Sequence, residues 1–246
     1  MLNALDLFSG IGGLAVALSE WVRSIAYCEI DPYCQGVLLS RMAAKDIQRS
    51  PIWNDVRTLK GNAIVHPIDI ICAGFPCQDI SIAGHGKGLE GERSGLFFEI
   101  VRLAKEINPK FIFLENVRAI TSRGGLQVVE EFMSLGYDCR WCIISSASIG
   151  APHLRERWFM LAYSYSKSSE QTDQTSQPIE IKKTTWLRSS RQNRGDTPRT
   201  YWQTNQSPVL GVDDGVSFRV DRAKAIGNSI CVEQAKEAFK MLMGLK

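Results

Sequence analysis

Residues 68–73 read Ile-Asp-Ile-Ile-Cys-Ala, an apolar run broken only by Asp69. A strand with one wet face alternates apolar and polar residues. A near-continuous run is instead buried on both faces, which requires helices above and below its sheet. The surrounding chain agrees with that requirement. Residues 2–8, 24–28, 111–114, 137–145 and 157–163 also read as strands. Residues 13–21, 32–44, 94–107 and 126–135 have helical period, and Gly136 is placed to terminate the last of these. Strand–helix alternation at this spacing predicts an α/β fold, a doubly wound and mainly parallel sheet. In such a sheet, functional groups gather at the carboxyl ends of the strands.

Composition narrows the class. The chain has 246 residues, 44% apolar and 22% charged, which excludes a wholly disordered chain, a collagen-like chain and a membrane bundle. No stretch reaches the roughly 18–20 apolar residues of a membrane span, and residues 1–13 lack the basic start of a signal peptide. Seven cysteines, an odd number, argue against a disulfide framework and for a reducing cytoplasm. The single CxxC pair, Cys139 and Cys142, has no further ligands nearby, and the three histidines are scattered, so no metal site is expected.

The character of the chain changes at Ser164. Residues 164–185 are rich in Ser, Thr, Gln, Lys and Glu and cannot build a core alone. Residues 181–202 carry Lys182, Lys183, Arg188, Arg191, Arg194 and Arg199 against one acid, Asp196, with Trp186, Tyr201 and Trp202 interleaved. This stretch has a net charge of +5 in a chain whose total is +3. From Val220 the pattern is globular again, and residues 232–242 read as an amphipathic helix. The expected division is a catalytic and cofactor-binding domain at 1–163, a short variable region at 164–218 and a returning segment at 219–246.

Five short motifs carry chemistry. Asp6-Leu-Phe8-Ser9-Gly10-Ile-Gly12-Gly13-Leu14 places a glycine turn between a strand and a helix. Glu29 follows at the end of the next strand, an arrangement suited to an adenosine-containing cofactor. Gly74-Phe75-Pro76-Cys77-Gln78 puts a thiol where a nucleophile would stand, and five glycines within 84–95 make a lid-like loop after it. Glu115-Asn116-Val117 brings a carboxylate to the same edge. His153-Leu-Arg155-Glu-Arg157 presents two arginines at alternating positions, able to hold a phosphate, stabilise a thiolate or pair with an acid. Gly227-Asn228-Ser229-Ile230 precedes the last helix, where it would cap that helix or close over a cofactor.

This ordered set resembles the cytosine-5 DNA methyltransferases, most closely their compact bacterial and phage forms, over residues 2–163 and 219–243. The resemblance implies a Rossmann-like S-adenosylmethionine-dependent methyltransferase sheet with a small target-recognition region at 164–218. It implies cofactor contacts from Phe8, Ser9, Gly10, Gly12, Gly13, Leu14, Glu29, Ile30, Asp55, Val56, Gly74, Pro76, Leu96, Asn228 and Ser229. Cys77 is implied as nucleophile toward cytosine carbon 6, with Glu115 as acid at ring nitrogen 3. Arg155 and Arg157 would favour the thiolate and orient the base, and Asn116 would position Glu115 or the loop backbone. Gln78, Ser81, Arg93, Lys182, Lys183, Arg188, Arg191, Arg194 and Arg199 would contact double-stranded DNA. The target base must leave the duplex to reach the thiol.

Phe75 stands where the family often has proline, and His153 where it often has glutamine. The implied protein is a cytoplasmic monomer, active in phage self-protection or beside a cognate restriction endonuclease. Two other readings share these residues: an RNA cytosine methyltransferase and a catalytically silent DNA- or cofactor-binding homologue.

Overall fold

The computed structural model describes residues 1–76, 95–151, 154–164 and 229–245. Its strands are β1 (Leu2–Leu7), β2 (Val22–Cys28), β3 (Ile52–Trp53), β4 (Ile70–Gly74), β5 (Phe111–Val117), β6 (Asp138–Ser145) and β7 (Glu156–Tyr163). They form one sheet in the order β3-β2-β1-β4-β5-β7-β6. β3, β2, β1, β4 and β5 pair in parallel, whereas β7 is antiparallel to both β5 and β6. The reversal follows from the connection. β6 reaches β7 through a 3-10 turn at Ser146–Ile149 rather than through a crossover helix, and so short a link joins only antiparallel strands.

The helices are α1 (Gly13–Ala17), α2 (Pro32–Ala44), α3 (Gly95–Ile107), α4 (Ile120–Arg123), α5 (Gly125–Ser134) and α6 (Val232–Met243). α2 starts where Asp31 accepts hydrogen bonds from the N–H groups of Tyr33 and Cys34, with Pro32 at its first position. α5 ends at Leu135, and Gly136 follows in the left-handed region at φ 82°. α1 is shorter than its period suggests. The Trp21 carbonyl accepts from Leu2 N–H at 2.8 Å, so the sheet ladder already holds residue 21 and the helix must stop before it.

Side-chain alternation divides the core into two layers. Leu5, Leu7, Ile71, Ala73, Ile112 and Leu114 face α3 and α5, where Phe97, Ile100, Val101, Val128 and Phe132 cover them. Ala4, Ile70, Cys72, Phe113 and Phe159 face α1 and α6. Phe239 of α6 is the centre of this second layer. Its ring meets Phe113 edge-on at 5.2 Å and Trp21 at 5.6 Å, and none of it is exposed. Cys139 and Cys142 pack into opposite layers, so the CxxC spacing does not bring the two thiols together.

β1 carries one acid into this core. Asp6 is 1% exposed, and neither carboxylate oxygen has a hydrogen-bond partner among the described residues. Burial raises its pKa to about 8, an effect that the nearby Ser9 hydroxyl partly offsets and the charge of Glu29 reinforces.

Two outcomes are expected. Phe239→Ala removes a fully buried ring and should destabilise the fold by about 3–5 kcal/mol in urea unfolding. Between pH 4 and 8 native Asp6 holds a proton that the unfolded chain has released, so its contribution to stability is greatest at low pH and is lost as pH rises toward 8. Asp6→Asn should therefore flatten the fall in unfolding midpoint between pH 5 and pH 8. Identical slopes in the two proteins would contradict the assignment.

Candidate active site at the carboxyl edge of the sheet

The turn after β1 is held from two sides. Phe8 and Gly10 take left-handed φ values of 53° and 52°, and Gly12 one of 83°. Such values cost a non-glycine residue free energy, which explains two of the glycines and marks Phe8 as a constrained position. Glu29, at the end of β2, fixes the turn. One carboxylate oxygen accepts from Gly10 N–H at 2.7 Å and the other from Asp31 N–H at 2.8 Å. Gln35 also donates to the Glu29 carbonyl at 2.6 Å. The Ser9 hydroxyl donates to the Asp6 carbonyl at 2.8 Å, closing the turn over β1.

The residues here fit an adenosine cofactor. A Cβ on Gly10 would meet nothing within 4 Å, so the loop backbone faces open space. Each Glu29 oxygen keeps a lone pair for a ribose hydroxyl after its backbone contact. Ile30 projects 64% exposed beside it, whereas Leu14 and Val56 are buried and Phe8 and Leu96 are half-buried against the core. Asp55 is engaged differently. Its carboxylate accepts from Arg57 Nη2 at 2.8 Å, from Nε at 3.0 and 3.2 Å and from the Arg57 N–H at 3.0 Å, which hold its pKa below the usual carboxylate range. An adenine amino group would have to share that carboxylate with Arg57.

Glu115 and Asn116 lie within β5, which continues to Val117 rather than ending at Leu114. Glu115 is opposite Gly74 of β4 and Phe159 of β7. It therefore faces the α1/α6 layer at the carboxyl edge. Its Oε1 pairs with Arg157 Nε at 2.9 Å, with both side chains largely buried. Burial raises the Glu115 pKa, and the charges of Arg157 and Arg155 offset this only in part. The carboxyl group is thus more easily protonated near neutral pH than an ordinary glutamate. The Arg155 Nη2 donates to the Ser229 carbonyl at 2.6 Å, joining β7 to the segment before α6. Asn116 points to the other side. Its amide donates to the Phe75 carbonyl at 3.1 Å, two residues before Cys77.

Gly13 and Gly74 flank the same space. A Cβ on either would come within 3.2 Å of Ile230, and one on Gly74 would also stand 3.3 Å from Glu115. The segment Ser229–Ile230 thus closes against both the glycine turn and the end of β4, with Pro76 exposed just beyond. Cys77, Gln78, Ser81, Arg93, Asn228, Lys182, Lys183, Arg188, Arg191, Arg194 and Arg199 lie outside the described residues. Among the thiols that are described, burial pushes Cys28, Cys139 and Cys142 up to about 12 and holds Cys72 well above the usual thiol range. None of these four is suited to act as a nucleophile near neutral pH.

Two contributors are not marked as site residues by the sequence. Ile230 belongs to one of the five motifs, but its apolar side chain gives no sign that it wedges between two glycines. Gln234 is fully buried on α6 and donates to the Ile144 carbonyl of β6 and to the Arg155 carbonyl just before β7. A signal for it exists: it sits four residues before Ala238, on the apolar stripe of the helix.

The chain is 38% identical over 161 residues to the Type II methyltransferase M.CviJI of Paramecium bursaria Chlorella virus IL3A, covering 65% of this chain and 42% of that one. It is 35% identical over 167 residues to the Type II methyltransferase M.HhaI of Haemophilus parahaemolyticus, covering 66% and 49%. The chain spans about half the length of these curated relatives. A solved prophage protein of Escherichia coli, described as a DNA modification methyltransferase, superposes with a TM-score of 0.55 at 26% identity over 74% of this chain and 52% of that one. Spodoptera frugiperda DNMT2 shares the fold, with a TM-score of 0.57 at 18% identity over 72% of this chain and 54% of that one. The family model for C-5 cytosine-specific DNA methylases matches residues 2–210, and the chain belongs to that family.

Proposed function

We propose that this protein transfers a methyl group from S-adenosylmethionine to carbon 5 of cytosine in double-stranded DNA. The observation that carries the reading is the buried Glu115–Arg157 pair, opposite Gly74, which precedes Cys77 by three residues. S-adenosylmethionine would supply an electrophilic methyl group, held by Glu29, the Phe8–Leu14 turn, Ile30, Asp55, Val56 and Ser229.

The chain's own residues do the rest. Cytosine carbon 5 is too weak a nucleophile to take a methyl group unaided. The Cys77 thiolate adds to carbon 6 and pushes electron density onto carbon 5. Glu115, kept protonatable by burial, donates to ring nitrogen 3 and spreads the developing charge. Arg157 holds that carboxyl group in place, and Asn116 anchors the Phe75 carbonyl, two residues before Cys77 in the sequence. Loss of the carbon 5 proton and departure of Cys77 restore the ring. The basic residues of 181–202 would bind phosphates, and a few would read base edges. Residues 164–218 would thus form the recognition region between a catalytic unit at 1–163 and the returning segment at 219–246. A cytoplasmic monomer beside a cognate endonuclease, or one protecting phage DNA, fits this activity.

The test is methyl transfer by the full chain with labelled cofactor on mixed-sequence duplex DNA and, in parallel, on transfer RNA. Labelled 5-methylcytosine is expected in DNA, at one short sequence, and Cys77→Ser should reduce it to background. Labelling of RNA alone, or equal labelling by Cys77→Ser, would overturn the reading. Glu115→Gln should lower kcat by about 10²-fold. It should also remove the decline of wild-type kcat at high pH, since the protonated form of Glu115 is lost as pH rises through its elevated pKa.

A further inference from the structure

The antiparallel ladder between β6 and β7 ends at the pair Ser145–Glu156. Arg155 is the next residue toward the site, beyond the last pair that the ladder holds. Its main chain is instead gathered into a separate node. The Arg155 carbonyl accepts from Ser146 N–H at 2.9 Å, from the Ser146 hydroxyl at 3.2 Å and from Gln234 Nε2 at 2.6 Å. The same Gln234 nitrogen donates to the Ile144 carbonyl at 2.7 Å. Gln234 and Ser146 are fully buried.

The amide orientation is dictated by its neighbours. Both partners are carbonyl oxygens, so only the NH2 end of Gln234 can face them. Its Oε1 has no hydrogen-bond partner among the described residues. A buried polar atom left in this way costs free energy that an apolar side chain on the same stripe would avoid. Packing of α6 therefore does not account for a glutamine at this place. The two bonds to β6 and to Arg155 do.

The other end of Arg155 is held by the same chain segment. Its guanidinium donates to the Ser229 carbonyl at 2.6 Å. Ser229 and Gln234 thus fix the side chain and the main chain of one arginine whose charge acts on Glu115.

We propose that Gln234 is a positioning residue for the methyl-transfer site, acting through Arg155. The inference rests on the proposed function above. It deepens it by assigning the α6 segment a role in turnover in addition to covering the sheet. Gln234 touches neither substrate nor cofactor. It sets the position from which Arg155 reaches the Ser229 carbonyl, two residues before the Arg157 that pairs with Glu115.

The experiment is a double-mutant cycle on the full chain, with Gln234→Met and Arg155→Ala alone and combined, assayed by methyl transfer to duplex DNA. Methionine keeps the volume and loses both donors. Gln234→Met is expected to lower kcat by about 10- to 100-fold, with KM for the cofactor within about threefold of wild type. In the Arg155→Ala background the same change should cost less than about twofold further, because the residue through which it acts is already gone. The exposed Glu237→Gln on the same helix should leave kcat unchanged. A wild-type kcat in Gln234→Met, or losses that multiply in the double variant, would overturn the inference while leaving the function intact. A wild-type protein that labels no DNA would overturn the function, and this inference with it. If Gln234→Met does not fold, Gln234→Asn replaces it in the cycle, since its shorter amide cannot span both carbonyls. The same losses are then expected, and wild-type kcat or multiplying losses would again overturn the inference.

Discussion

Covering a sheet on both faces leaves its interior strands almost no place for polar side chains. In this chain β4 and β5 are apolar through their length until the carboxyl edge, where Glu115 and Asn116 emerge. The glycine turn after β1 and Glu29 after β2 lie at the same edge. The interior lengths of β4 and β5 cannot hold ionisable groups without large desolvation costs, so on these strands such groups gather at the carboxyl edge. Parallel pairing aligns these strand ends, and the reversed strand β7 brings its own first residues, with Arg155 just before them and Arg157 among them, to the same level.

The Glu115–Arg157 pair shows what this placement costs. Desolvation raises the carboxyl pKa even with an arginine 2.9 Å away. A buried ion pair is weak support for stability, and removing one partner usually destabilises by about 3–5 kcal/mol. The surroundings compensate by fixing geometry rather than by adding charge. Asn116 ties β5 to the Phe75 carbonyl after β4, Ser229 receives Arg155, and Gln234 anchors the residue before β7.

Most elements are legible in the residues because burial writes its period into them. The interior strands read as apolar runs, and Asp31 and Pro32 mark the start of α2. The exceptions have physical causes. β3 is two residues long, too short to carry any period, and is recruited by backbone bonds to β2. β5 runs past Leu114 because the ladder with β7 continues through Glu115 and Asn116, whose polarity resembles a strand end. α1 stops early because the ladder claims Trp21. The site residues are legible as motifs, yet motifs do not show which partner each side chain chooses. Arg155 and Arg157 share a motif and a parity, but one pairs with a carboxylate and the other with a main-chain carbonyl. Gln234 lies outside every motif, and only its polarity on an apolar stripe marks it.

The central claim is that Cys77 forms a covalent bond to a cytosine held at this edge. It is tested most directly by incubating the full chain with S-adenosylmethionine and duplex DNA carrying 5-fluorocytosine, which cannot lose its carbon 5 substituent as a proton. Denaturing electrophoresis and peptide mass spectrometry then locate the adduct. The account predicts a stable protein–DNA complex whose single modified peptide bears the base on Cys77 and which does not form without cofactor. No complex, or an adduct at any other residue, would contradict it.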